Sequence, residues 1–284
     1  MIPIFIIVCI IYFVFYYNKN KEQLEIEQII DSKYINKLNR KDIIARRLPN
    51  KNIYSYYRHL VRYPTNSEKN SIENIFRVIK TDIGNKYKPI LDLPFRTYIF
   101  SKIENNFPHT HHNSILIPEI FPLNTSYITK NTLLHEKLHI IQRFKKENFY
   151  RLYEKYWNFR YIRIKNLDRI EKVSSTNPDG LDNNWVFSVN GINIVLMSLY
   201  NKNYKYLSDV TSYGIYLDKN SHLILPIRKK KLRDIQEFTD FFGNLNGNNY
   251  HPNEISADML AGMLLGETSK SRAYDKLSEW WNSL

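Results

Sequence analysis

His135 and His139 stand four positions apart in the stretch TLLHEKLHIIQRF (132–144), with Glu136 directly after the first. On a helix, residues at this spacing share a face, so two imidazole nitrogens can point at one divalent ion. Glu136 then falls about 100° further round the axis, too far to ligate beside them but near a water on that ion. That is where a general base is needed. Leu134, Leu138 and Ile141 lie on a different stripe and can pack into a core. A chain with 8 histidines in 284 residues produces H-E-x-x-H by chance in roughly one case per hundred, and a chance match need not sit, as this one does, in an amphipathic helix.

A catalytic metal of this kind wants three protein ligands and one open position. The metzincin continuation is excluded, because Gln142 and Lys145 occupy the positions where it places glycine and histidine. The next donor-rich stretch is YHPNEISADML (250–260). Pro252 suits the first turn of a helix, and Glu254 and Asp258 are four apart on one face. Glu254, His251 and Asp258 are the candidates for the third ligand.

His135-Glu136-x-x-His139 followed by Asn253-Glu254-x-x-x-Asp258 resembles the gluzincin metallopeptidases, the thermolysin-like and neprilysin-like group. The two motifs cover about 30 residues, and their flavour is also similar to uncharacterised metallopeptidases of large DNA viruses. The resemblance implies a zincin-like α+β domain in which His135, His139 and Glu254 bind Zn2+ and Glu136 activates the zinc-held water. It also implies that Asp258 orients one of the histidines, a carboxylate on the non-ligating N–H being what fixes an imidazole tautomer. The substrate would be a peptide or protein, paired along an edge strand, for which NSILIPEI (113–120) is the candidate. Tyr250, His251 and Tyr213 are candidate donors to the oxyanion. The 115 residues between His139 and Glu254 exceed the thermolysin-like spacing and imply an insertion at about 149–250.

The elements that must position these residues can be read from pattern. Ser67 begins a capped helix over 67–80 with Ile72, Ile75, Phe76 and Ile79 on one face. FRTYIFSKI (95–103) and NSILIPEI are strand candidates, 149–168 reads as an aromatic-rich helix, and 176–184 is a loop around Pro178-Asp179-Gly180. Residues 185–227 carry short strand-like pieces, and RKKKLR (228–233) reads as a solvated helix start. PHTHH (108–112) puts His109 and His111 on one face if extended, with His112 beside them; a solvent-exposed or cleft-rim cluster is expected in preference to a second metal site.

Composition bounds the rest. With 43% hydrophobic and 24% charged residues the chain should fold, and its length allows one large domain without disulfides. Its single cysteine, Cys9, rules out an intrachain disulfide and a cysteine-based metal site. The net charge of +13 accompanies abundant Lys, Asn, Ile and Tyr, so it reads as compositional background and not as a nucleic-acid surface. Residues 1–17 carry no charge and just reach spanning length. They read as an uncleaved membrane anchor within 1–18, with Lys19 and Lys21 directing the remainder to the cytoplasm. A helical stalk or N-terminal subdomain (19–65) then leads to the catalytic domain (66–284). The rival readings are a non-peptidase zinc hydrolase of amidase or deformylase type, and an inactive basic protein that binds membrane surfaces or nucleic acid.

Overall fold

Residues 98–100 and 115–117 are unbroken apolar runs, a pattern that a strand tolerates only when both of its faces are covered. The computed structural model, which describes residues 29–284 apart from Asn246 and Asn248, is an α+β fold in which both runs lie in the interior of a sheet. Helices α1 (Ser32–Lys37), α2 (Arg40–Ala45) and α3 (Ile53–Leu60) precede strand β1 (Val61–Arg62), helix α4 (Asn66–Ile83), and strands β2 (Arg96–Phe100), β3 (His109–His111) and β4 (Ser114–Pro118). The sheet order is β1-β2-β4-β3, with β2 and β4 parallel and the outer pairs antiparallel. Ile99, Ile115 and Ile117 point into the main core, while Tyr98, Phe100 and Leu116 point the other way, into a second core built with Ile29, Tyr34 and Tyr57. The 29–60 segment is thereby sealed onto one face of the sheet.

The edge-strand expectation for 113–120 is corrected by this order. β4 is interior, because β3 folds back on it through the His112–Asn113 turn, and β3 is the edge. The anchor expected at 1–17, Cys9 and the start of the stalk lie outside the described residues. Among those described, no helix is long and apolar enough to cross a membrane.

Helix α4 begins with the reciprocal cap of Thr65 and Glu68 and buries Ile72, Ile75, Ile79 and Ile83. Helix α5 (Tyr127–Phe144) starts at Ser126, whose side chain accepts from the Thr129 N–H, and buries Leu133, Leu134, Leu138, Ile140 and Ile141. After it, α6 (Lys146–Arg151) runs into a π turn at Leu152–Tyr156, where Tyr153 and Trp157 fill the core. The helix expected over 149–168 therefore stops early, and the chain turns into strand β5 (Phe159–Tyr161) and the short helix α7 (Asp168–Glu171).

The segment expected as an insertion at about 149–250 contains a β-meander. Strands β5, β6 (Trp185–Val189), β7 (Ile192–Tyr200), β8 (Val210–Tyr216) and β9 (Lys229–Lys231) pair antiparallel in chain order. Asn190 and Gly191, with φ of 50° and 77°, make the two-residue turn between β6 and β7, a connection that needs positive φ at both positions. The basic run expected to start a helix forms β9 instead, where lysines protect an exposed sheet edge from further pairing. Helices α8 (Gln236–Phe242), α9 (Pro252–Leu264) and α10 (Arg272–Asn282) close the fold, with α9 packed along α5.

A buried ionic network fastens the N-terminal helices to both sheets. The Arg46 guanidinium, 2% exposed, pairs with Asp42 at 2.5 Å and with Glu104 at 2.8 Å. It also donates to the Tyr34 and Tyr200 hydroxyls and to the Thr176 carbonyl. Tyr34 and Tyr57 donate to Glu104 from the other side. Burial alone would raise the Glu104 carboxyl, but Arg46, His109 and the two hydroxyls override it and hold it below its ordinary value. The stability it contributes is complete above the ordinary carboxyl range and is lost as pH falls through that lowered value. Replacing Arg46 by Met would leave Asp42 and Glu104 buried without a cation, and should cost about 3–5 kcal/mol in denaturant unfolding. A loss under about 1 kcal/mol would mean the network is not load-sharing.

Candidate metal centre

Two helices build the centre, and the start of the second is fixed by an unusual cap. His251 precedes α9 with its Nδ1 accepting from the Asn253 N–H at 3.1 Å and its Nε2–H donating to the Asp182 carbonyl at 2.9 Å. Both ring nitrogens are thereby committed, so His251 is neither a ligand nor an oxyanion donor. Gly180 lies flat on this ring, where an added Cβ would come within 3.1 Å of the His251 Cγ. The cap thus seats the 176–184 loop as well as the helix.

One turn into α9, Glu254 is 3% exposed and faces α5. Its Oε2 lies 3.5 Å from His135 Nε2 and its Oε1 lies 3.4 Å from His139 Nε2, while the two imidazole nitrogens are 2.9 Å apart. Ligand atoms of these three residues fall within 4.8 Å of one another, as do those of a second group, Glu136, His139 and Asp179. All five side chains are buried. The structure therefore holds groups of histidine and carboxylate that could bind a metal ion. The buried Glu136 Oε2 has no hydrogen-bond partner among the described residues, and a buried carboxylate oxygen left unpaired is costly. The donor set fits a divalent cation for the same reason: three carboxylates surround two imidazoles.

A hydrogen bond aims His139. His139 Nδ1–H donates to Gln142 Oε1 at 2.9 Å, leaving Nε2 as the nitrogen it can offer. The Gln142 amide then donates to the Asn253 carbonyl at 2.8 Å and to Ser256 Oγ at 2.9 Å. The Tyr153 hydroxyl lies 3.0 Å from Asn253 Oδ1 and 2.8 Å from Ser256 Oγ. Asn177 Nδ2 donates to Glu254 Oε1 at 3.0 Å and also to the Tyr250 hydroxyl.

The positions expected from sequence are thus distributed unevenly. His135, Glu136, His139, Glu254, Asp258 and Tyr250 all border one cavity of about 360 Å³. Asp258 sits close enough to His135 for that imidazole to oppose the upward push of burial on its carboxyl. Among the described residues it makes no hydrogen bond to either histidine, and the orienting partner of His139 is Gln142. Tyr213 lies away from the cavity, on β8, under the Lys229 ammonium. Of the cluster expected to be solvent-exposed or at a cleft rim, His112 is exposed and His109 borders the cavity, while His109 and His111 are only 6% and 1% exposed. They pack against Phe100 and Tyr34 with ring centres at 5.0 and 5.4 Å. Sequence reading missed Asn177, Asp179 and the role of Gln142; only Gln142, one turn beyond His139, carried a usable spacing signal.

Electrostatics follow the packing. Burial pushes the Glu136 carboxyl up to about 7, against the pull of His135 and His139. For Glu254 burial acts the same way, but the two histidines override it and hold the carboxyl well below its usual range. Burial resists protonation of His139, yet Asp179, Glu254 and Glu136 outweigh it and push the imidazole up to about 10. Comparison with protein-family models, curated proteins and solved structures finds no match to this chain.

A raised His139 holds its proton below about 10, and a ligand must give that proton up to a metal. Metal affinity should therefore rise with pH through neutrality. Calorimetry in buffers of different ionisation heat should record about one proton released per ion bound near pH 7.5. Uptake with no proton release would contradict this account of the site.

Proposed function

We propose that this protein is a zinc metallopeptidase with a zincin-like catalytic domain. The observation that carries the reading is the convergence of His135, His139 and Glu254 on one buried point, beside a Glu136 oxygen that has no partner among the described residues. Two imidazoles and one carboxylate form a recognised ligand set for catalytic zinc. Zinc held there would supply Lewis acidity, polarising a substrate carbonyl and acidifying a water.

The remaining work falls to the chain. Glu136, raised toward neutrality by burial, takes the proton from the attacking water and delivers it to the leaving amine. The Tyr250 hydroxyl, held by Asn177 at the cavity wall, donates to the oxyanion. Gln142 keeps His139 in the tautomer whose Nε2 is free to ligate. The apolar segment 1–17 would hold the enzyme at a membrane, with the catalytic domain on the cytoplasmic side, and no nucleic-acid partner is invoked.

A second reading, a zinc amidase acting on small substrates, is favoured by one feature. The carbonyls of Thr110 and His112, at the edge of the first sheet, already accept hydrogen bonds from Arg143, so that edge is not open to an extended peptide. Assays against peptides of graded length distinguish the two. For a peptidase, kcat/KM should rise with length, and Glu136→Gln should lower kcat by about 10²–10⁴ while metal stays bound. Activity confined to single amide bonds would favour the amidase, and full activity in Glu136→Gln would defeat both.

A further inference from the structure

Residues 225–230, on the connection from β8 into β9, are exposed without a break, and the hydrolysis outlined above does not use them. Two of them are large and aliphatic, Leu225 at 56% exposed and Ile227 at 39%. Single exposed apolar residues are ordinary on a protein surface. Here a pair flanks Pro226 and runs straight into Arg228, Lys229, Lys230 and Lys231.

These cations are held in place, but not by carboxylates. Arg228 lies over the Tyr216 ring at 4.7 Å and Lys229 over the Tyr213 ring at 4.5 Å. The Arg228 carbonyl accepts from the Tyr216 N–H, and Lys229 to Lys231 pair with β8, which fixes their backbone. Among the described residues none of the four cations forms an ion pair, and the nearest acid in sequence, Asp234, lies beside Arg233 at 3.9 Å. Elsewhere on the surface lysines do meet carboxylates, as Lys69 meets Glu73, Lys80 meets Asp92 and Lys276 meets Glu279. A basic composition explains the number of lysines in the chain, and protection of the sheet edge explains lysines in β9. Neither explains unneutralised cations adjoining an exposed aliphatic pair.

An anionic lipid surface meets both features. Aliphatic side chains enter the boundary of the acyl region while neighbouring cations lie among the head groups, and each cation adds attraction that acts only close to the surface. A nucleic acid would use the cations but leave the aliphatic pair in water. The two tyrosines that could stack on bases each already carry a cation over the ring.

We propose that the segment from Leu225 to Lys231 is a docking face for an anionic membrane surface. The proposal rests on the membrane attachment read from residues 1–17 for its setting, and it is independent of the metal centre. An anchor fixes a chain to a bilayer without fixing how its domain sits, and this second contact would set that orientation.

Hydrogen exchange on the full chain mixed with lipid vesicles tests it. With phosphatidylcholine vesicles that contain phosphatidylserine, amide exchange across 225–230 should slow by about tenfold or more. Phosphatidylcholine alone should leave it unchanged. Lys229→Glu with Lys230→Glu, and separately Leu225→Ser with Ile227→Ser, should each remove the slowing. Co-sedimentation with both kinds of vesicle but no slowing across 225–230 would overturn the docking face and leave the attachment through 1–17 standing. Equal slowing on both kinds would show that the cations do not select the lipid, and would also overturn it. So would slowing by a single-stranded oligonucleotide with none on vesicles, which would assign the face to nucleic acid. A chain that sediments with neither kind of vesicle and shows no slowing would remove the anchor and the docking face together.

Discussion

The Gln142 side chain is the link on which the centre depends. Its oxygen accepts from His139 and its nitrogen donates to the first turn of α9, so one amide fixes an imidazole and the spacing of two helices. An amide does this where a carboxylate would not, because it carries an acceptor and donors on adjacent atoms. The Asn253 and Ser256 groups it meets are tied in turn to Tyr153 in the π turn after α6. Burial makes these bonds consequential: each unmade partner would cost the full desolvation of a polar group.

The 176–184 loop joins this network to the N-terminal helices. Thr176 hydrogen-bonds to Asp42 through both its backbone N–H and its hydroxyl, and Lys37 donates to the Leu181 carbonyl. A few residues along the same loop, Asn177 touches Glu254 and Asp179 faces His139. The N-terminal helices are therefore linked to Glu254 through Thr176 and its neighbour Asn177.

The site was legible in sequence where a helix supplies the geometry. His135 and His139, and Glu254 and Asp258, lie on shared faces because 3.6 residues make a turn, and this periodicity survives whatever surrounds the helix. Strand runs 96–100 and 114–118 were legible for a similar reason, but their order was not. Nothing in the sequence of 113–120 says that β3 folds back onto its outer side. The loop residues were beyond reach, since Asn177 and Asp179 are placed by Arg143 on α5 and by the packing of neighbouring Gly180 on the distant His251. His251 itself looked like a ligand and serves as a helix cap, a role that histidine seldom fills beside Ser, Thr, Asp and Asn. The burial of His109 and His111 against Phe100 and Tyr34 was not legible, because a run of polar letters does not show which face of a strand a second core covers, whereas the cleft-rim position of His109 was among the expectations.

The central claim is that one ion binds where His135, His139 and Glu254 converge. Metal content by mass spectrometry, on purified wild type, His139→Ala and Glu254→Ala, tests it most directly. The account predicts one zinc per wild-type chain and loss or strong weakening of zinc in both variants, each still folded by circular dichroism. Wild-type protein that is folded, supplied with zinc and yet metal-free would contradict it.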